Sequence, residues 1–443
     1  MNIQLSDHFS YRRLLRFTAP SIFMMIFTSI YSIVDGFFVA NKVGETAFTA
    51  VNFAMPILMV LGAIGFMFGA GGSALIAKTM GEGNRKKAKE LFSLVVLWGG
   101  ICGVLLGVVG FFTIRPLCAW FGAEGQLLED SVRYSRTILL AMPFYLLQVE
   151  FQSFFIAAEK PKLGMWMTIL SGVLNILLDW ILVGLLPLGL VGAGLATAIS
   201  QTVGALAALV YFALPNSGLL RLCRPKRDPH ALRKVCVNGS SELMSNVAMS
   251  ALGVLYNVQL LKYADEDGVF AYGVVMYVMM IFLAVYIGYG TGIAPVVSYH
   301  LGAKNHKELQ NLFRRSVRII LVCSLLMCGA GWLFADPLSR IFVHANPDLL
   351  QMTIRAFRIY SLSFLLSGVA IFGSCFFTAL NDGVTSAIIS FMRTLVFQSA
   401  AVMLMPLVWG VDGIWWSVVG SEAMAMAVSV FFFYRHRRKF HYA

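Results

Sequence analysis

"GGSALIAKTMGEGNRKKAKELF", residues 71–92, returns in altered form as "GIAPVVSYHLGAKNHKELQNLF", residues 292–313. The shift is 221 residues, 292 less 71. It lays Gly71, Gly81, Asn84, Lys86, Leu91 and Phe92 on Gly292, Gly302, Asn305, Lys307, Leu312 and Phe313 without a gap. The same shift carries "FQSFFIAA" (151–158) onto "FGSCFFTA" (372–379), and Gly189 and Gly192 onto Gly410 and Gly413. The chain is thus a sequence repeated twice, and the repeat decides how its segments are arranged.

What is repeated is apolar. Of the 443 residues, 58% are hydrophobic and 13% charged, with a mean hydropathy of +0.77. An ordinary soluble domain has roughly 45–50% apolar and about 25% charged residues. Apolar runs near 20 residues recur along the whole length, and each can cross a hydrocarbon layer of roughly 30 Å. The weak alternation of an outer-membrane barrel is absent. The sequence predicts an all-α polytopic membrane protein with twelve transmembrane helices. The expected spans are 14–40, 47–77, 91–114, 137–158, 163–186, 189–213, 237–262, 269–300, 313–335, 356–380, 384–409 and 411–434.

Six spans per repeat is an even number, so both halves enter the membrane in the same direction. Such parallel repeats form two six-helix bundles facing a central cavity. The expected units are 1–213 and 237–443, joined by a linker at 214–236. Lys and Arg set the orientation. With the N-terminus inside, the inner segments and the span ends beside them hold 25 of them, the outer ones 8, and Arg393 lies deep within a span. That bias predicts cytoplasmic termini.

The net charge of +12 does not argue for nucleic acid, because the basic residues sit in short segments between apolar runs. The seven cysteines form no CxxC pair and read as small buried hydrophobes. No Walker motif, HExxH or GxSxG occurs. The residues therefore predict no enzyme and no cofactor. A monomer in membrane lipid, working on small molecules, is expected.

Six ionisable residues lie well inside the spans: Asp35, Glu150, Asp179, Glu242, Arg393 and Glu422. A charge at the bilayer centre costs on the order of 2.5–3.5 kcal/mol, so such residues face protein or water and point to function. Asp35, Asp179 and Thr197 all fall roughly 8–12 Å below the outer surface at 1.5 Å per residue. Asn175 is one turn from Asp179 on the same helix face. Three helices of the first half can thus bring two carboxylates, an amide oxygen and a hydroxyl to one level. Hard oxygen ligands suit Na⁺, and paired carboxylates in a poorly hydrated pocket suit proton uptake. The plainer alternative for Asn175 and Thr197 is helix-to-helix hydrogen bonding. For Asp35 with Asp179 it fits poorly, since a buried pair of acids is a weak structural device.

The second half does not copy these acids. The shift sends Asp35, Asn175, Asp179 and Thr197 to Tyr256, Val396, Ala400 and Val418. Arg393 and Glu422 are expected as a structural ion pair, with a transport role as the alternative. Glu242 lies near the inner end of span 7, where water can reach it. Tyr145, Gln148 and Gln152 form a polar stripe on span 4. With Glu150, Asn52 and the methionines Met276, Met279 and Met280 they are candidate substrate contacts, since Met lines adaptable apolar sites.

These features resemble the multidrug and toxic compound extrusion (MATE) transporters. The residues that carry the resemblance are "SIVDGFFVANKVGETAFTAVN" (32–52), "LNILLDWILV" (174–183), "GLVGAGLATAIS" (189–200) and the Gly-x-x-Asn loops at 81–84 and 302–305. The resemblance covers essentially the whole chain and is closest to the bacterial branch with its cation site in the N-terminal lobe. It implies that Asp35, Asn175, Asp179 and Thr197 form that site. It also implies secondary active efflux of amphipathic, often cationic compounds in exchange for H⁺ or Na⁺. The branch with a further acid in the tenth helix is not matched, because 356–380 contains no Asp or Glu. The alternative is a lipid-linked oligosaccharide flippase of the same superfamily. Such a flippase needs a strongly cationic cavity, and only Arg393 is basic within the spans.

Overall fold

The computed structural model describes residues 3–186, 188–216, 218–343 and 346–443. Among them there is helix and no strand. The helices follow the expected spans: α1 (Tyr11–Val43), α2 (Thr46–Gly81), α3 (Arg85–Trp120), α4 (Gly125–Leu140 and Met142–Ala157), α5 (Pro161–Leu185) and α6 (Gly189–Ala213). The second half continues with α7 (229–263), α8 (Asp267–Gly302), α9 (His306–Leu333), α10 (Pro347–Ala379), α11 (Gly383–Trp409) and α12 (Val411–Phe440).

Ten of these are long and apolar enough to cross a membrane singly, and the two limbs of α4, bent by 60°, make an eleventh. The twelfth arm, α7, is more polar, with Asn238, Glu242, Asn246, Asn257 and Gln259 along its length. It runs into α8 through a break at Ala264 and Asp265, where Asp265 takes a φ of 50°. The connection between halves is non-helical over 214–216 and 218–228. The rest of the expected linker, 229–236, forms the first two turns of α7.

The backbone repeats with the sequence. Gly83 and Lys304, 221 residues apart, both take positive φ, and so do Gly189 and Gly410. The two Gly-x-x-Asn loops now have a physical account. Asn84 Oδ1 accepts from Lys87 N at 3.0 Å and caps α3, and Asn305 Oδ1 accepts from Glu308 N at 3.2 Å and caps α9. A side-chain oxygen there satisfies an orphan amide of the first turn.

The glycine of each loop serves the other half. A Cβ on Gly81 would overlap the carbonyl oxygen of Tyr299, and one on Gly302 would overlap that of Lys78. Lys78 and Tyr299 are themselves 221 residues apart, so the contact is a reciprocal cross of α2 and α8. Gly71 meets Val235 of α7 equally closely. All these approaches lie at the end of the bundle that carries both termini. There the two halves are sealed backbone to backbone.

The segment before α1 straps that seal. Leu5 and Phe9 are fully buried. Leu5 N donates to Glu159 Oε1 at 2.6 Å, in the first half. Phe9 N donates to Glu308 Oε1 at 2.9 Å, in the second, where His8 Nδ1 also lies 2.6 Å from Glu308 Oε2. Glu159 lies outside the spans. Burial pushes its carboxyl above the ordinary range, and the Leu5 N–H pulls in the opposite direction.

Two outcomes follow from this seal. Gly302→Val must force α2 and α8 apart, so hydrogen exchange across 67–82 and 288–302 rises and transport falls by at least about tenfold; unchanged protection would contradict the contact. Glu159→Ala leaves the Leu5 amide buried without an acceptor, and a melting curve should show a loss of about 1–3 kcal/mol, with Glu159→Gln costing less.

Candidate cation and substrate site

Asp35 comes from α1 and is 7% exposed, and Asp179 comes from α5 and is fully buried. Their carboxyls face each other within hydrogen-bonding reach. Neither oxygen of Asp179 meets a donor among the described residues, nor does Asp35 Oδ1. The two statements agree chemically. Two carboxylates only accept, so the pair bonds only with a proton between them, or closes around a cation.

One turn away on α5 is Asn175, 2% exposed, whose amide nitrogen lies 3.5 Å from Thr197 Oγ1 on α6. The amide oxygen of Asn175 remains an acceptor. The four expected residues are thus brought to one place by α1, α5 and α6.

The helices deform at this level. α1 widens into a π-helical turn at Val39–Val43, and α5 does so at Trp180–Leu185, directly after Asp179. Such turns break the i→i−4 ladder and are frequent at functional sites. Small side chains keep the walls close: a Cβ on Gly172 of α5 would overlap the Phe27 ring of α1.

Tyr134 was not expected here. It was placed in the outer segment, because span 4 was read from residue 137. The first limb of α4 instead begins at Gly125. It packs Tyr134 against Gly194 of α6, one turn before Thr197, with the ring fully buried. Its hydroxyl has no partner among the described residues and lies within electrostatic reach of both Asp35 and Asp179. The signal in the sequence was the spacing of Val132, Tyr134, Ser135, Ile138 and Leu139, which continues the buried face of α4.

The polar stripe of α4 is wired to this site. Gln148 Nε2 donates to Ser171 Oγ at 2.9 Å, and Ser171 Oγ donates to the Ser200 carbonyl at 2.8 Å. Ser200 Oγ donates back to the Thr197 carbonyl at 2.9 Å. Ser171 is one turn below Asn175, so the chain links α4 through α5 to Thr197 of α6, with neither oxygen of Asp179 taking part. Tyr145 fills the space beside Gly62 of α2 and is half-buried, as is Gln152. Asn52 of α2 is exposed, with its amide on the Phe48 carbonyl.

Two expected substrate contacts need correction. Glu150 does not join the stripe. It is fully buried and lies flat on Gly99 of α3, where a Cβ would overlap its carboxyl oxygen. Two residues of rotation carry it to the opposite face of the limb. The three methionines also part: Met279 is in the core at 6% exposure, while Met280 is exposed and Met276 half-buried.

The second half is built differently at the matching place. Tyr256, which aligns with Asp35, bonds to Ser417 Oγ at 3.0 Å and stacks on Tyr272 with ring centroids 5.1 Å apart. Its polar atom is satisfied, so this half offers no open acid there. Farther along, Arg393 Nε lies 3.0 Å from both oxygens of Glu422, and Nη2 lies 2.7 Å from Oε1. The π-helical turn Met392–Phe397 of α11 accompanies this pairing. Glu242 of α7 is half-buried and enters no ion pair among the described residues.

The pair can be measured directly. Arg393→Met strands Glu422 in a largely dry site and should cost about 3–5 kcal/mol, and adding Glu422→Gln should recover part of it. A double-mutant cycle on thermal stability reads the coupling; additive losses would reject it.

With this geometry in hand, the relatives are informative. The MatE family model matches the chain twice, over residues 20–181 and 243–404. The multidrug export protein MepA of Staphylococcus aureus (strain MSSA476) is 22% identical over 428 residues, covering 96% of this chain and 93% of its own. MepA of Staphylococcus saprophyticus is 23% identical with the same coverage. Among solved structures, a multidrug resistance MATE family transporter in its outward-facing conformation superposes with a TM-score of 0.93. It is 21% identical and covers 100% of this chain and 99% of its own. A double match to one family model over most of the length makes this chain a member of the MATE family, a multi-pass membrane transporter and not an enzyme.

Proposed function

We propose that this transporter is an antiporter that expels amphipathic, often cationic compounds in exchange for H⁺ or Na⁺ bound at Asp35, Asn175, Asp179 and Thr197. The observation that carries the reading is Asp179, fully buried beside a second carboxyl and without a donor. A buried acid in that state is costly unless a proton or cation joins it. The coupling ion fills that need, and a cationic substrate drawn to the same negative charge competes for it. Competition for one site makes each ligand shift the equilibrium against the other, which is exchange.

The hydrogen-bond chain from Gln148 to Thr197 supports a further element. A substrate against the stripe of Tyr145, Gln148 and Gln152 is one relay away from the acids, so its arrival changes the surroundings of Asn175. Tyr134, with its free hydroxyl, joins the site as a donor to whichever carboxylate is ionised.

The seal at the terminus-bearing end fits a state open on the other side. In this reading that end is cytoplasmic, in a bacterial inner membrane. The flippase alternative is not favoured: the one basic residue deep in the spans, Arg393, is neutralised by Glu422.

Reconstituted vesicles test the proposal. A pH gradient or a Na⁺ gradient, imposed separately, should drive efflux of a fluorescent organic cation, and the gradient that works names the ion. Asp179→Asn should abolish gradient-driven efflux by two orders of magnitude or more while the protein still inserts and folds. Wild-type efflux from that variant would reject the assignment.

A further inference from the structure

At the terminus-bearing end, α3 begins beside the last residues of the linker. The cleft between them has a volume of about 400 Å³. Lys86 and Lys87 line it from α3, and Lys226 and Arg227 line it from the linker, with Glu90 and Asp228 as the acids present. Four cations against two carboxylates leave a net charge of +2. Among the described residues, none of the four cations enters an ion pair. The charge is therefore not neutralised from within.

The cleft is built rather than incidental. Asn84 caps α3, and Asp228 Oδ1 accepts from Ala231 N at 2.9 Å and caps α7, so two helix N-termini meet here. The linker is fixed to α3 upstream, where Cys223 N donates to Ser93 Oγ at 2.9 Å, and Leu220 is fully buried. Both rims are thus held by bonds that leave the side-chain cations of the four residues free of any role in them.

Depth indicates what the cleft meets. The outward-facing apolar side chains of α3 begin at Leu97 and Trp98. Leu91, on the floor of the cleft, is six residues earlier, about 9 Å along the helix. Residues 91–96 are all buried, so the outward face of α3 changes from charged to apolar between Glu90 and Leu97. Lys86 and Lys87 lie about 4–6 Å along the helix before Glu90, and with a headgroup layer of roughly 5–8 Å per leaflet their ammonium groups reach its level. Phosphate esters are the anions concentrated there, and basic pockets at helix ends suit them.

We infer that this cleft binds the phosphate of an anionic phospholipid headgroup, held by Lys86, Lys87, Lys226 and Arg227. The bound headgroup ties the start of α3, in the first half, to the start of α7, in the second. It thereby fastens the only covalent connection between the halves.

The test uses the full-length protein in neutral detergent, with retained lipid read by native mass spectrometry against added phosphatidylglycerol or phosphatidylcholine. Wild type should retain phosphatidylglycerol in preference. K87Q/R227Q should retain it on the order of tenfold less, since each surface cation is worth about 1 kcal/mol towards anionic lipid, and K87R/R227K should behave as wild type. Both pairs are exposed, and an unchanged melting temperature without lipid shows that the variants fold. Equal retention by wild type and K87Q/R227Q would overturn the inference. So would binding of inorganic phosphate with no preference between the two lipids, which would leave a free phosphate site in place of a lipid site.

Discussion

Two carboxyls that have each other and little else constrain this molecule. Asp179 is buried completely, beside Asp35, and no donor reaches its oxygens among the described residues. A soluble core would place an arginine or a row of amides there. In the proposed reading the missing partner is the coupling ion, whose arrival would offset the cost of burying the two acids. The surroundings preserve this condition. α1 and α5 open into π-helical turns at the acids, and Gly172 lets α5 meet the Phe27 and Tyr31 rings of α1 closely.

The halves divide the work. In the second half, the position of Asp35 belongs to Tyr256, whose hydroxyl is satisfied by Ser417 and whose ring stacks on Tyr272. Its Arg393 and Glu422 cancel each other, and its remaining intramembrane acid, Glu242, stands apart on α7 without an ion pair among the described residues. That half is packed as a partner surface, while the first half carries an unmet polar demand. What the halves share is the seal, where Gly81 and Gly302 exchange backbone contacts across the pseudo-twofold axis. At these two glycines the contact is backbone to backbone, flanked by buried side chains such as Met80 and Val296 that belong to one hydrophobic cluster.

The fold was legible in the sequence because its signals are long and redundant. Apolar length fixed the spans, and the 221-residue shift fixed their arrangement. The recurrence of Asn84 and Asn305 was visible in the repeat, and the structure supplies its reason, since both cap helices. The grouping of Asp35, Asn175, Asp179 and Thr197 was also legible, because acids at matched depth in apolar helices have few explanations. Rotational detail was not. A residue turns about 100° around the helix, so one misjudged boundary hides a side chain. Reading α4 from residue 137 put Tyr134 outside the membrane, and nothing in the sequence revealed the bend at Ala141 that returns it to the acids. Glu150 and Met279 were misassigned for the same reason: their faces depend on packing against α3 and the core. The π-helical turns have no sequence signature, yet they lie beside Asp35, Asp179 and Arg393.

The central claim is that substrate and coupling ion compete for the Asp35–Asp179 pair. The most direct measurement is cation release on substrate binding, made with purified protein in weakly buffered detergent solution, first without Na⁺ and then with it. The account predicts that each bound organic cation displaces a proton or a Na⁺ ion, and that Asp179→Asn abolishes the release. Substrate binding with no cation released from the wild type, or undiminished release from the variant, would contradict it.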